Sequence, residues 1–194
     1  MRKAYLFLLA LILAVPLVAQ VKTADHGWID VSNGYTKTLV TIEMKHNPEA
    51  GSRQGLSQYD ELVSQPTLAD EDQERKETAE ALSKLKAAVS EQKQKEVAQD
   101  LEIIIRNVEL GFRQQDFQRA HEVPFINASE LVFGGLRMLL DEQTPAERRP
   151  AAVARIRKYA GLEPGYTALT EILKQRVSEQ MAKPGILYLS LIHI

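Results

Sequence analysis

The chain of 194 residues contains no cysteine. That excludes disulfides, a thiolate metal site and a cysteine nucleophile, and with them a lipid-modified cysteine behind a leader. Histidine is scarce. His26, His46, His121 and His193 are scattered, and no two stand at the spacing that lets one helix face offer two imidazoles to a metal. Neither sign of charge is in large excess. A formal net charge of −2 gives no broad preference for nucleic acid or an anionic membrane surface. No stretch alternates apolar and polar residues over a useful length, and no internal repeat is visible. With sheet signals missing, the fold class is all-α, a multi-helix array or bundle, and the length suffices for one domain with a core.

What is present begins with a leader. Arg2 and Lys3 precede an apolar run over Ala4–Val18, and Leu17-Val18-Ala19 offers a small residue for cleavage before Gln20. This is the layout of a secretory signal peptide. The run is about 15 residues, short of the ~20 that span a bilayer. Residues 1–19 are therefore read as a signal peptide and the mature chain as periplasmic or secreted. Its one membrane association would be the uncleaved leader.

The strongest pattern lies between Val97 and Leu140. Val97, Leu101, Ile104, Ile105, Val108 and Phe112 share one helical face, and Ile103 and Leu110 lie off it. The expectation is that Val97–Gln118 forms the most buried helix. Before it, Trp28, Val31, Tyr35, Leu39 and Ile42 mark a first helix, ending near His46 because Asn47 precedes a proline. Pro48 suits the start of a short helix and Gly55 its end. Thr67 with Asp70 reads as a capping pair, and Glu71–Arg75, Asp72–Lys76 and Glu80–Lys84 as i,i+4 ion pairs. Leu82, Leu85 and Val89 form the buried stripe of that helix, and Ser90–Glu96 is a break. After the central helix, Ser129 is the expected cap of a helix to about Asp141, with Gly134 and Gly135 allowing close packing or a bend. Thr144-Pro145 reads as the start of the next, with Ala152, Val153, Ile156 and Tyr159 inward and Gly161 ending it. Tyr166 or Thr167 opens a last helix to about Met181, followed by Pro184-Gly185.

No catalytic constellation can be argued from spacing, and no catalytic, cofactor-binding or metal residue is assigned. His121-Glu122 resembles the start of a zinc-helix motif, but the position for the second histidine is Phe125, with Pro124 between. Asp60-Glu61 and Asp141-Glu142 are adjacent acids of an ordinary kind. Asn127-Ala128-Ser129 fits a glycosylation sequon by pattern. Phe133-Gly134-Gly135 lacks the preceding strand of a phosphate loop. Arg148, Arg149, Arg155, Arg157 and Lys158 form a basic patch without interleaved aromatics, which argues against a nucleic-acid partner.

Several stretches carry a family resemblance. They are Asn47–Leu56 with Tyr59-Asp60, Gln99–Ile105, Val123-Pro124-Phe125, Phe133–Leu136, and Thr144-Pro145 through Lys158–Gly161. From about Trp28 to Tyr188 the chain resembles the N-terminal part of the domain-of-unknown-function 885 family of exported bacterial proteins. Full-length members resemble helical zinc peptidases and carry a His-Glu-x-x-Pro-Gly-His-His type motif well downstream, a segment with no counterpart here. The resemblance implies a parent hydrolase of zinc-metallopeptidase-like type acting on peptide-like substrates. Residues 20–188 would supply a helical wall of its substrate channel, inactive by themselves, with zinc held by the part that follows. The alternative is a complete periplasmic helical binding module without catalysis. Leu189–Ile194 continues no upstream pattern and matches the translated end of a common transposase-type sequencing adapter. The expectation is that this tail is non-native, that the protein continues beyond Tyr188, and that apolar surface around Gly134, Gly135, Leu136 and Leu140 awaits the missing part.

Overall fold

The computed structural model describes residues 26–185, so the leader at 1–19, Tyr188 and the tail at 189–194 lie outside the described residues. Among the described residues there are seven α-helices and no strand: α1 (Gly27–His46), α2 (Pro48–Arg53), α3 (Leu68–Glu91), α4 (Lys95–His121), α5 (Ala128–Leu140), α6 (Ala151–Tyr159) and α7 (Leu169–Met181). The all-α multi-helix class is thus observed. None of these helices is long and apolar enough to cross a membrane.

Three long helices form one layer. α3 runs antiparallel to both α1 and α4. His46 and Lys45, at the end of α1, meet Asp70 and Glu77 near the start of α3, while Ser32 near the start of α1 donates to Asp100 of α4 (2.7 Å). Leu85, Val97 and Leu101 are the buried centre of this layer, flanked by Trp28, Tyr35, Leu39, Ala88, Val89, Ile104 and Ile105. Val31, expected on the same inward stripe, is exposed. The second layer packs α5 on α6, with α2 and α7 against α5. Its cores are Val63, Tyr159 and Leu169, and Leu139 with Ala151 and Ala152.

The helix boundaries follow local chemistry. Asn47-Pro48 separates α1 from α2, and Gly55 takes φ +87° just after α2, where L-residues are strained. The Thr67 side chain accepts from the Asp70 amide at 3.1 Å, satisfying one open donor of the first turn of α3. α3 breaks at Gln92 and α4 resumes at Lys95.

Several expectations are corrected. α4 is not the most buried helix: Val97 and Leu101 are its buried residues, and Ile103, Leu110 and Phe117 are exposed. The reason is that its 27 residues, about 40 Å, meet apolar partners only at the N-terminal end. Further along, α3 presents Arg75, Asp72 and Glu71 to it. α2 and α6 are buried more completely. The charges of α3 do not pair along the helix. Glu71 takes Arg119 and Arg176, Asp72 takes Arg119, and Arg75 reaches Asp116, because facing helices bring guanidinium groups closer than their own turn does. Asn127, not Ser129, caps α5, accepting from the Glu130 amide at 3.2 Å. Thr144 donates to the Met138 carbonyl at 2.6 Å and so closes α5 instead of opening α6, which starts at Ala151 after a 3₁₀ turn. α6 is rotated from expectation: Ala151, Ala152, Arg155 and Tyr159 face inward, while Val153 and Ile156 are exposed. α7 starts at Leu169, since the Thr167 amide donates to Gln65 (3.1 Å) and not into a helical turn.

Candidate functional site

A cleft of ≈ 610 Å³ opens between the start of α2, the first turns of α3, the 125–127 connection and α5, with Arg176 of α7 at its edge. A volume of that order accommodates a small-molecule ligand. Its lining carries five carboxylates, Glu49, Asp70, Glu71, Glu74 and Glu130, against Arg53, Arg176 and His46, with Phe125, Ile126 and Leu131 as apolar surface.

Glu49 stands at the base of the cleft because Pro48 starts α2 there and turns its first residues inward. Only 4 % of Glu49 is exposed. Its Oε1 accepts from the Tyr159 hydroxyl (2.7 Å), the Ser64 amide (3.0 Å) and the Ser64 hydroxyl (3.2 Å). Its Oε2 is buried and accepts from no donor. Burial, then the neighbouring Glu49 charge, pushes the Tyr159 phenol far up, so it remains a donor at any ordinary pH. The Arg155 guanidinium feels the Glu49 charge but donates elsewhere, to the carbonyls of Gly135 and of Tyr59, the latter at 3.1 Å.

Behind this group lies a second one. Ser52 donates to Asp60 Oδ1 at 2.7 Å, and Arg148 grips the same carboxylate through Nε (2.7 Å) and Nη2 (2.6 Å). The Arg148 fork holds the Asp60 carboxyl below its ordinary range, against the desolvation that would raise it. Bidentate geometry of this kind fixes orientation as well as charge. It ties the loop after α2 to the turn before α6.

The opposite wall belongs to α3. The buried His46 ring places Nδ1 2.8 Å from Asp70 Oδ1 and Nε2 3.4 Å from Glu77 Oε2. Glu77 is held down to about 2, chiefly by hydrogen bonds from Gln73 and Lys45. Glu71 is clamped by Arg119, Gln115 and Arg176, which outweighs the desolvation that would raise its carboxyl and leaves it below the ordinary value. Glu74 has no such partner. Desolvation, reinforced by Asp70, Glu71 and Glu43, raises its carboxyl despite the attraction of His46. The cleft therefore holds a local excess of negative charge.

The residues singled out in the sequence fall largely elsewhere. His121 is exposed at the end of α4 with its ring 4.8 Å from that of Phe117, and Glu122 lies just beyond the helix. Asp60 is structural, Glu61 is exposed, and Asp141 accepts from the Gln143 amide in an exposed turn. The basic patch does not exist as a surface: Arg148 and Arg155 turn inward, and Arg157 pairs with Glu163. Gly135 is the glycine of the pair that permits close packing. A Cβ there would lie 2.2 Å from the Tyr159 hydroxyl, whereas at Gly134 it would meet nothing within 4 Å. Glu49 is not legible as a site residue, since an isolated acid on a short helix reads as solvated, and no local pattern marks Ser64, Glu74 or Arg176 either. The available signal was Pro48 beside Gly51, whose missing Cβ lets the Tyr59 ring in.

This arrangement is suited to recognising charge. Among the described residues no group of three or more histidines, aspartates and glutamates is placed to hold a metal ion. No family model, curated protein or solved structure matches the chain.

Proposed function

We propose that this chain is the N-terminal helical part of an exported hydrolase of zinc-metallopeptidase-like type. In it, the described helices form one wall of a channel for peptide-like substrates, and the metal-binding helix belongs to a following part of the same protein. The observation that supports this most is uncovered apolar surface. Phe133 and Leu140, seven residues apart on α5, are 63 % and 57 % exposed, and Val153 on the adjoining α6 is 62 % exposed. Exposed apolar residues on two packed helices are consistent with a surface that a partner would cover. The stretches that carry the family resemblance also meet in space: Glu49 with Tyr159, Asp60 with Arg148, and Gly135 with Arg155.

The second reading, a helical module that binds a partner and catalyses nothing, draws on the acidic cleft, which is built from the described residues alone. The two separate in one experiment. The uninterrupted reading frame beyond Tyr188 is recovered from an independent clone, and bound metal and peptide hydrolysis are measured for its product and for the present chain. The hydrolase reading expects one zinc and turnover in the longer protein alone. A stop shortly after residue 194, or a longer protein that is inert and metal-free, favours the binding module.

A further inference from the structure

We propose that His46 is a pH-operated latch between the end of α1 and the start of α3. With a proton on each ring nitrogen it ties Asp70 to Glu77, and loss of one proton as pH rises releases the joint between α1 and α2. The inference is the same under either reading of the whole protein.

The geometry carries it. The His46 side chain is 4 % exposed, so its ring depends on protein partners. Nδ1 lies 2.8 Å from Asp70 Oδ1 and Nε2 lies 3.4 Å from Glu77 Oε2. A neutral imidazole has one N–H donor and one lone pair, and an ionised carboxylate only accepts. In either neutral tautomer, one ring nitrogen would turn its lone pair to a carboxylate oxygen. The imidazolium donates from both nitrogens, so it satisfies both contacts, and each becomes a charge-assisted bond. Glu77 keeps its charge, because hydrogen bonds from Gln73 and Lys45 hold its carboxyl down to about 2. Both of those donors reach Oε1, which leaves Oε2 to His46. A cation in the last turn of α1 also meets the open carbonyls of that helix end.

The surrounding charge acts in the same direction. Desolvation raises the Glu74 carboxyl of α3, and the His46 charge opposes it. On its own helix His46 has Glu43 and Lys45, and Lys45 is taken by Glu77. Around the cleft stand Glu49 and Arg53 of α2, Glu130 of α5 and Arg176 of α7, the last clamped on Glu71. Carboxylates thus prevail about the ring. His46 ends α1, and Pro48 starts α2 one residue later, so the latch sits on the joint behind Glu49. The fold favours the second proton more than the unfolded chain does. The latch is therefore complete in mildly acidic solution, and its contribution is lost as pH rises.

The test combines NMR of the ring nitrogens with hydrogen–deuterium exchange, both on the full chain. At about pH 7, N-acetylhistidine amide is roughly three parts neutral to one part protonated, whereas His46 should be mostly doubly protonated. Exchange is compared at about pH 6 and about pH 8, on either side of the ordinary histidine range, after correction for the intrinsic rate. The Asn47 amide, which donates to the Glu43 carbonyl at 2.7 Å and closes α1, should lose protection roughly tenfold, as expected for a hydrogen bond to a charged group. Leu101, in the buried centre of the layer, should keep its protection. In Glu77→Gln the side-chain amide can donate to a neutral ring. The site is 20 % exposed, so the fold, checked by circular dichroism, should persist, with His46 mostly neutral at about pH 7 and the fall at Asn47 largely abolished. The ring measurement on wild type decides without any variant. A mostly neutral His46 there, unchanged Asn47 protection across the range, or the same fall in a folded Glu77→Gln would each overturn the proposal.

Discussion

The hydroxyl of Tyr159 occupies the space where a side chain at position 135 would begin: a Cβ built on Gly135 lies 2.2 Å from it. That contact brings α6 against α5 and lets the phenol reach Glu49 at 2.7 Å. One missing methyl group thus positions the base of the cleft.

Gly135→Ala should displace Tyr159, break its hydrogen bond to Glu49 and destabilise the protein by about 2–3 kcal/mol. Gly134→Ala, in the same helix with open space around it, should stabilise by about 0.5–1 kcal/mol. Urea denaturation of the two variants checks both signs. Equal effects would show that helix propensity alone decides at these positions.

The Arg148–Asp60 pair should be sensitive to mutation and to acid. Arg148→Ala leaves Asp60 buried without its counter-charge and should cost about 3 kcal/mol near neutral pH. The Asp60 carboxyl is lowered in the folded state. Its contribution is therefore fully present above its unfolded value of about 4 and is lost as pH falls through the lower folded value. Without Arg148, desolvation is left to raise the Asp60 carboxyl of the variant, so the gap in stability between wild type and Arg148→Ala should be widest near neutral pH and narrow as pH falls through the variant's raised value towards the lowered value of the wild type. Denaturation midpoints across that range are the readout.

Helical class and most boundaries were legible because they rest on local chemistry: Asn47 before Pro48, Thr67 over Asp70, Gly161 at φ +70° after α6. Burial was legible only where apolar residues faced apolar residues. Leu85, Val97 and Leu101 obey the period. On α6, Ile156 was expected inside, but Arg155 is 1 % exposed and Ile156 is not buried, because the carbonyls of Gly135 and Tyr59 receive a guanidinium there. Those acceptors lie 20 and 96 positions away, beyond the reach of any local pattern. The cleft was illegible for the same reason. Glu49 is made special by Tyr159, 110 positions later in the chain.

Glu71 joins three helices, receiving Arg119 from α4 and Arg176 from α7. Glu71→Ala should cost about 2 kcal/mol, and the loss should be felt first in α7. Limited proteolysis should cut within 169–181 sooner than in wild type, with α1 unchanged. Uniform loss of protection would contradict the clamp.

The chain should bind a dye that reports exposed apolar surface, because Phe133, Leu140 and Val153 are uncovered. Phe133→Ser with Leu140→Ser should reduce dye fluorescence while changing stability by no more than about 0.5 kcal/mol, as expected for exposed positions. Unchanged fluorescence would place the dye elsewhere.

Under the proposed function, α5 and α6 present a face that a further part of the same protein covers. Hydrogen–deuterium exchange, compared between this chain and the product of the longer reading frame, tests it most directly. Markedly slower exchange over 128–140 and 151–159 is expected in the longer protein, with 97–101 equally protected in both. Identical exchange over α5 and α6 in the two proteins would contradict it.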